Sequence, residues 1–346
     1  MHICLYGNPE NDIRQPLFAV FSMPFIGVGY ITSQLFSFRY SSQIFMHLIQ
    51  IVLFVVTNII LAKMLKLNSL KRMFFVLLIS STYASILFSV MMEQYIIAYF
   101  YLILTLYSIY ENKQDDTILL IGASNTLITS CILAPIFYEK FSFANIKNWL
   151  KKMFQLGTIF ILLLIFFGKA DVLLYTKKNM NSISRFNGEG ILFENRVNQY
   201  TEFLDNYFTK PEAEMIEVDS AMTWQLKTIE KINWVGVAII ALSIISYLLN
   251  RQDKFIGFSM FFAVYSFIVL CLFGYGTAEN GLILYSLYFG WPFFILIFKL
   301  IENICDLFKN KYILPVVCGT TSLMLIFINF SGITEMANEL AKYYPW

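Results

Sequence analysis

From Met73 to Tyr110 the chain is apolar, aromatic or hydroxylic almost throughout, and Glu93 is its only side chain charged at neutral pH. As one helix these 38 residues would run about 57 Å at ~1.5 Å per residue, nearly twice the ~30 Å hydrocarbon core of a bilayer. The economical reading is two spans, 73–92 and 94–110, joined by a tight turn at Glu93-Gln94-Tyr95. That places the carboxylate at a membrane face. Held in mid-bilayer instead, it would cost about 2.5–3.5 kcal/mol on insertion scales.

Composition agrees with a membrane protein. The chain is 58% hydrophobic and 14% charged, with 35 Phe and 21 Tyr, which excludes an ordinary soluble domain. Apolar runs of spanning length recur, so the expected fold is an all-α polytopic membrane protein of about 8–10 transmembrane or re-entrant helices with one long extracytoplasmic loop. No basic stripe or zinc spacing points to nucleic acid. Five cysteines, mostly within apolar runs, form no disulfide framework.

The basic residues set the topology. Residues 1–43 read as an extracytoplasmic or interfacial segment, with Pro24, Gly27 and Gly29 interrupting its apolar part. Residues 44–168 hold the N-terminal membrane helices, starting with a span at 44–62. The loop at 63–72 carries Lys63, Lys66, Lys71 and Arg72 and is expected in the cytoplasm, so Glu93 faces outward. A second basic loop, 139–152, stays on the cytoplasmic side if 117–138 folds as a re-entrant hairpin. Its polar middle, Ser124-Asn125-Thr126, fits backbone buried in protein at membrane depth. A span at 153–168 leads to the long extracytoplasmic loop, 169–233, where residues 194–208 show a helical period. Four spans at 234–330 and an outer-face tail at 331–346 complete the chain. The short loops placed inside hold 14 Lys and Arg, against three in the short outer segments.

Four short stretches together resemble the GT-C superfamily of membrane glycosyltransferases, within it a poorly characterised bacterial group. They are Arg14-Gln15-Pro16-Leu17-Phe18, Ser85 to Ser89 leading to Glu93-Gln94-Tyr95, Gly122 to Thr126, and Leu284 to Phe289. The resemblance implies transfer of a hexosyl or pentosyl group from a polyprenyl-phosphate donor to an acceptor at the outer face of the cell membrane. In such enzymes a first span precedes an outer loop carrying a catalytic Asp, and a second acid lies in the next outer turn. On that template residues 1–43 correspond to the latter part of the first outer loop and Glu93 to the second acid. This chain departs from the template in lacking the first span and in having Gln15 where the group tends to have His. Asp12 is the only Asp available as a stand-in, so a truncated or inactive relative is an open reading.

Sugar transfer needs a carboxylate to take the acceptor's proton and positive charge to hold the leaving phosphate. Asp12 and Glu93 are the candidate catalytic acids. Arg14, Arg185 and Arg196 are the candidate phosphate-binding residues, since guanidinium grips phosphate bidentately. One carboxylate is no metal motif, so no cofactor follows, and a divalent metal at Glu93 stays open. Each residue also has a plainer role: Glu93 as a turn, Asp12 and Arg14 as a solvated pair, Arg185 and Arg196 as surface charges. The expected partners are the bilayer and a lipid-linked sugar donor. The rival functions are an O-antigen or capsule repeat-unit polymerase, a polysaccharide transporter or flippase, and a membrane-embedded accessory protein. A polymerase should have arginine-rich outer loops, whereas residues 169–233 hold ten acids and eight bases. A transporter should show charged spans or an internal repeat.

Overall fold

The computed structural model describes residues 18–36, 41–91, 95–111, 143–167, 188, 190–218, 221–227 and 231–343. Among them, the helices Gln43–Met64, Lys254–Leu272 and Ile313–Tyr343 are long and apolar enough to cross a membrane. Two bent pairs, Ser69–Ser80 with Tyr83–Ser89 and Leu282–Phe289 with Trp291–Leu307, raise the number to five if each pair is one span. The chain is a largely helical membrane protein. It divides into two compact units, residues 1–66 with 89–184, and residues 67–88 with 185–346.

In the first unit α1 (Phe18–Leu35) packs on α2 (Ser41–Met64), and α2 packs on α5 (Tyr95–Tyr110). The α1–α2 approach is close at Gly29, where a Cβ would lie 2.5 Å from the Met46 sulfur. Phe25 sets its ring edge-on to Phe100 at 6.0 Å. Tyr99 packs on Phe54 and donates its hydroxyl to Asn58 Oδ1 at 3.3 Å, so both polar groups are buried as a pair. α6 (Phe143–Phe166) shows exposed Leu150, Phe154, Leu162 and Ile165, a surface suited to lipid. The expected basic loop at 139–152 is therefore helical from Phe143 onward, with Lys147 and Lys151 exposed on α6. Apolar residues spaced along 143–166 continue the period of the apolar run that follows, so the helix starts early.

The second unit begins with α3 (Ser69–Ser80) and α4 (Tyr83–Val90), which meet at a 72° bend. A bend frees backbone carbonyls, and hydroxyls recapture them here. Ser81 donates to Leu78 O at 2.7 Å, Thr82 to Ile79 O at 2.9 Å and Ser85 to Ile79 O at 2.6 Å. After α7 (Phe193–Phe208) comes an antiparallel pair, β1 (Ala213–Val218) and β2 (Ala221–Leu226), in register from Ala213–Leu226 to Val218–Ala221. This pair departs from the expected all-α fold. Its Ile216, Val218, Thr223 and Trp224 are β-formers in a stretch too polar to read as a span.

The remaining helices are α8 (Trp234–Leu249), α9 (Lys254–Phe267), α10 (Ser286–Phe289), α11 (Trp291–Leu307) and α12 (Ile313–Tyr343). α9 ends in a π-turn at Ile268–Leu272, where Phe273 N donates to Ile268 O. Gly290 marks the 54° bend before α11, with Pro292 in the first turn that follows. α8, α9 and α11 pack together, and α3 packs on α12. The expected tail after 330 is helix as far as Tyr343. Residues Glu335, Glu339 and Lys342 are good helix formers, Glu335 pairs with Lys210, and Glu339 pairs with Lys342 one turn on.

One end of this unit gathers charge. Glu302, 5% exposed, is the only buried acid or base among the described residues. Each of its oxygens takes one ammonium, Lys71 at 2.7 Å and Lys299 at 2.7 Å, and Lys71 also reaches Asp306 at 3.3 Å. Asn303 donates to Asn250 Oδ1 beside them, so Arg251 and Lys254 belong to the same end. So do Lys309 and Lys311, which follow directly on α11.

Candidate functional site: the polar face of α7

α7 is too polar to be a span, yet half of its residues are buried, all between Asn198 and Tyr207. Its sequence explains this by splitting into two faces. Tyr200, Phe203, Leu204 and Tyr207 form the apolar face and are almost fully buried. Tyr200 lies edge-on to Phe267 and Phe293, and its hydroxyl bonds Ser266 Oγ at 2.7 Å. The Tyr207 ring fills the space a side chain at Gly290 would need, since a Cβ there would come within 2.1 Å of it. Burial pushes both phenols well above their ordinary range, which favours their neutral form.

The polar face, with Glu194, Asn198, Thr201, Glu202 and Asp205, meets the start of α8. Contact between the helices is as close as backbones allow. A Cβ on Gly236 would lie 1.9 Å from the Thr201 carbonyl oxygen. Asn233 locks the crossing. Its Oδ1 accepts from the amides of Val235 and Gly236, at 2.8 and 3.1 Å, and so caps α8. These bonds fix which side-chain atom is nitrogen. The Nδ2 then donates to Glu202 Oε2 at 2.7 Å and to Asp205 Oδ2 at 2.9 Å, while Asn233 N donates to Thr201 Oγ1 at 3.0 Å. Two half-buried carboxylates are therefore held close together by the two hydrogens of one amide. Asp205 is braced further by Thr209, whose hydroxyl donates to Oδ1 at 3.0 Å. Replacing Asn233 by Ala is expected to lower stability by about 2 kcal/mol, from the lost cap and two charge-assisted bonds. A thermal melt in detergent measures it.

Arg196 is the one sequence-expected site residue among the described residues. Its Nη1 donates to Leu272 O at 3.2 Å, at the end of the π-turn, and its Nη2 to Gly188 O at 3.3 Å. Three of its five N–H groups remain uncommitted to these carbonyls. Asp12, Arg14, Glu93 and Arg185 lie outside the described residues. Glu202 and Asp205 were not singled out from sequence. Their signal was the i, i+3 spacing of two acids on the polar side of a helical period, a pattern shared by many solvated helices. Among the described residues no group of three or more His, Cys, Asp or Glu is arranged to hold a metal ion.

Beside the first turn of α7 lies a groove of about 770 Å³ lined by Phe193, Glu194, Val197, Asn198, Lys231, Ile232 and Trp234. Comparison with protein-family models, with curated proteins and with solved structures finds no match to this chain.

Proposed function

We propose that this protein is a membrane glycosyltransferase of GT-C type that moves a sugar from a polyprenyl-phosphate donor to an acceptor at the outer face of the cytoplasmic membrane. The observation that carries the reading is the pair of carboxylates on α7, braced by Asn233 in a half-buried setting. A carboxylate so held is oriented to accept the acceptor's proton as the glycosidic bond forms, the step such chemistry requires. Arg196, about 9 Å along the same helix from Glu202 at ~1.5 Å per residue, is the candidate grip on the leaving phosphate. The sequence resemblance supports the substrate class. The charge pattern supports the sidedness. Lys71, Arg251, Lys254, Lys309 and Lys311 gather at the end of the second unit away from α7, and basic ends face the cytoplasm. By the same rule applied to the sequence, the basic segments 63–72 and 139–152 are assigned to the cytoplasm and the long polar segment 169–233 to the outside.

The test is transfer of radiolabelled sugar by the full-length protein in liposomes, from a panel of polyprenyl-phosphate-linked hexoses and pentoses. Wild-type protein is expected to consume at least one donor. Glu202→Gln or Asp205→Asn is expected to slow transfer about 100-fold while the melting temperature stays within a few degrees. Wild type that consumes no donor, or variants that both transfer at the wild-type rate, would overturn the proposal.

A further inference from the structure

Glu194 and Lys231 line one groove with charges of opposite sign, and neither takes part in an ion pair among the described residues. Opposite charges that share a cavity without closing on each other leave room for a ligand that has both signs. The other walls are apolar or aromatic, apart from the amide of Asn198. The groove opens beside Leu192, Phe193, Trp234 and Val235, which are 53–75% exposed. Trp234 begins the 16-residue apolar helix α8, and Trp is favoured where apolar helices meet the headgroup layer. The volume suits a headgroup with its glycerol.

From this geometry we infer that the groove seats the headgroup of a zwitterionic phospholipid bearing a primary ammonium, phosphatidylethanolamine. Lys231 faces the phosphate. Glu194 accepts hydrogen bonds from the ammonium, which a choline headgroup cannot donate. Trp234 and Phe193 cover the glycerol and upper acyl region. A purely anionic lipid would satisfy Lys231 and be repelled by Glu194. The inference requires only that the protein sits in a membrane, and it stands or falls separately from the transferase proposal.

Native mass spectrometry of the full-length protein, released from detergent with defined lipids, reads it directly. Phosphatidylethanolamine is expected to be retained about tenfold more than phosphatidylglycerol or phosphatidylcholine, the difference one charge-assisted hydrogen bond produces. Glu194→Gln should erase the preference over phosphatidylcholine, and Lys231→Ala should weaken all phospholipids. Both residues are exposed, so the variants should melt like wild type. Equal retention of the three lipids, an unchanged pattern in both variants, or tighter retention of polyprenyl phosphate than of phosphatidylethanolamine would each overturn the assignment.

Discussion

Gly236→Val is expected to prevent α7 from docking on α8 and to leave little folded protein. A Cβ at 236 would sit 1.9 Å from a backbone oxygen, 2.6 Å from the Thr201 carbonyl carbon and 2.7 Å from its Cα. No rotamer change can relieve a clash with main chain, so one helix must move. Asn233 ties the two helices together three residues away, so movement would also break the bonds to Glu202 and Asp205. The cost should reach at least about 3 kcal/mol, the top of the range for overpacked cores. In detergent this appears as a lowered melting temperature or as loss of the monodisperse species. Gly257→Ala in α9 is the matched control. Nothing lies within 4 Å of a Cβ there, so the change should be neutral or stabilise the helix by up to about 1 kcal/mol. If the two substitutions behave alike, the close α7–α8 approach does not exist.

That contrast also shows what could be read from sequence. Gly236 and Gly257 look the same there, each a glycine near the start of an apolar run. The runs themselves were legible because lipid imposes a uniform demand: α2, α9 and α12 each hold enough consecutive apolar residues to be recognised, while α8 is apolar but shorter. The helical period at 194–208 was legible for the same kind of reason, since one face of α7 must be apolar. Its depth was not. A helix with Glu194, Arg196, Glu202 and Asp205 reads as an outer loop until its partners are known, and those partners come from 233–236, 266–272 and 290–294. The bends at Ser81–Thr82 and Gly290 were equally hidden. Serine and threonine hydroxyls bond to helix carbonyls in straight helices too, so only the geometry shows that they compensate a break. Asn233 had one local clue, its position just before an apolar run, which marks a helix cap. Its second job, holding two acids about thirty residues upstream, has no local signature. Of the residues favoured for chemistry from sequence, Arg196 is tied to the carbonyls of Leu272 and Gly188. The carboxylates that the fold brings together are others, because proximity in space decides the pairing.

The second large effect is expected at Glu302, at the opposite end of the same unit. Its side chain is 7% exposed and neutralises two lysines whose side chains are only about a quarter or less exposed. Glu302→Leu removes the acid and leaves Lys71 and Lys299 facing each other with little water to screen them. Lys71 would keep Asp306, an exposed partner at 3.3 Å that screens it weakly, whereas Lys299 would lose its partner outright. Breaking such a pair from one side typically costs about 3–5 kcal/mol, because a buried charge is left uncompensated. The ion pair itself need not add net stability, so the cost should be recoverable. Adding Lys71→Met and Lys299→Met to Glu302→Leu replaces the charges with apolar groups of similar length. This should return the melting temperature to within about 1 kcal/mol of wild type, or above it. The same substitutions bear on sidedness, since Lys71 and Lys299 help to make this end basic. With both lysines gone, protease protection of the 308–312 turn in cells should weaken if the positive end is what holds it inside. A Glu302→Leu variant as stable as wild type would mean that the cluster is solvated like any surface pair, and that α3 and α11 are joined by their apolar contacts alone.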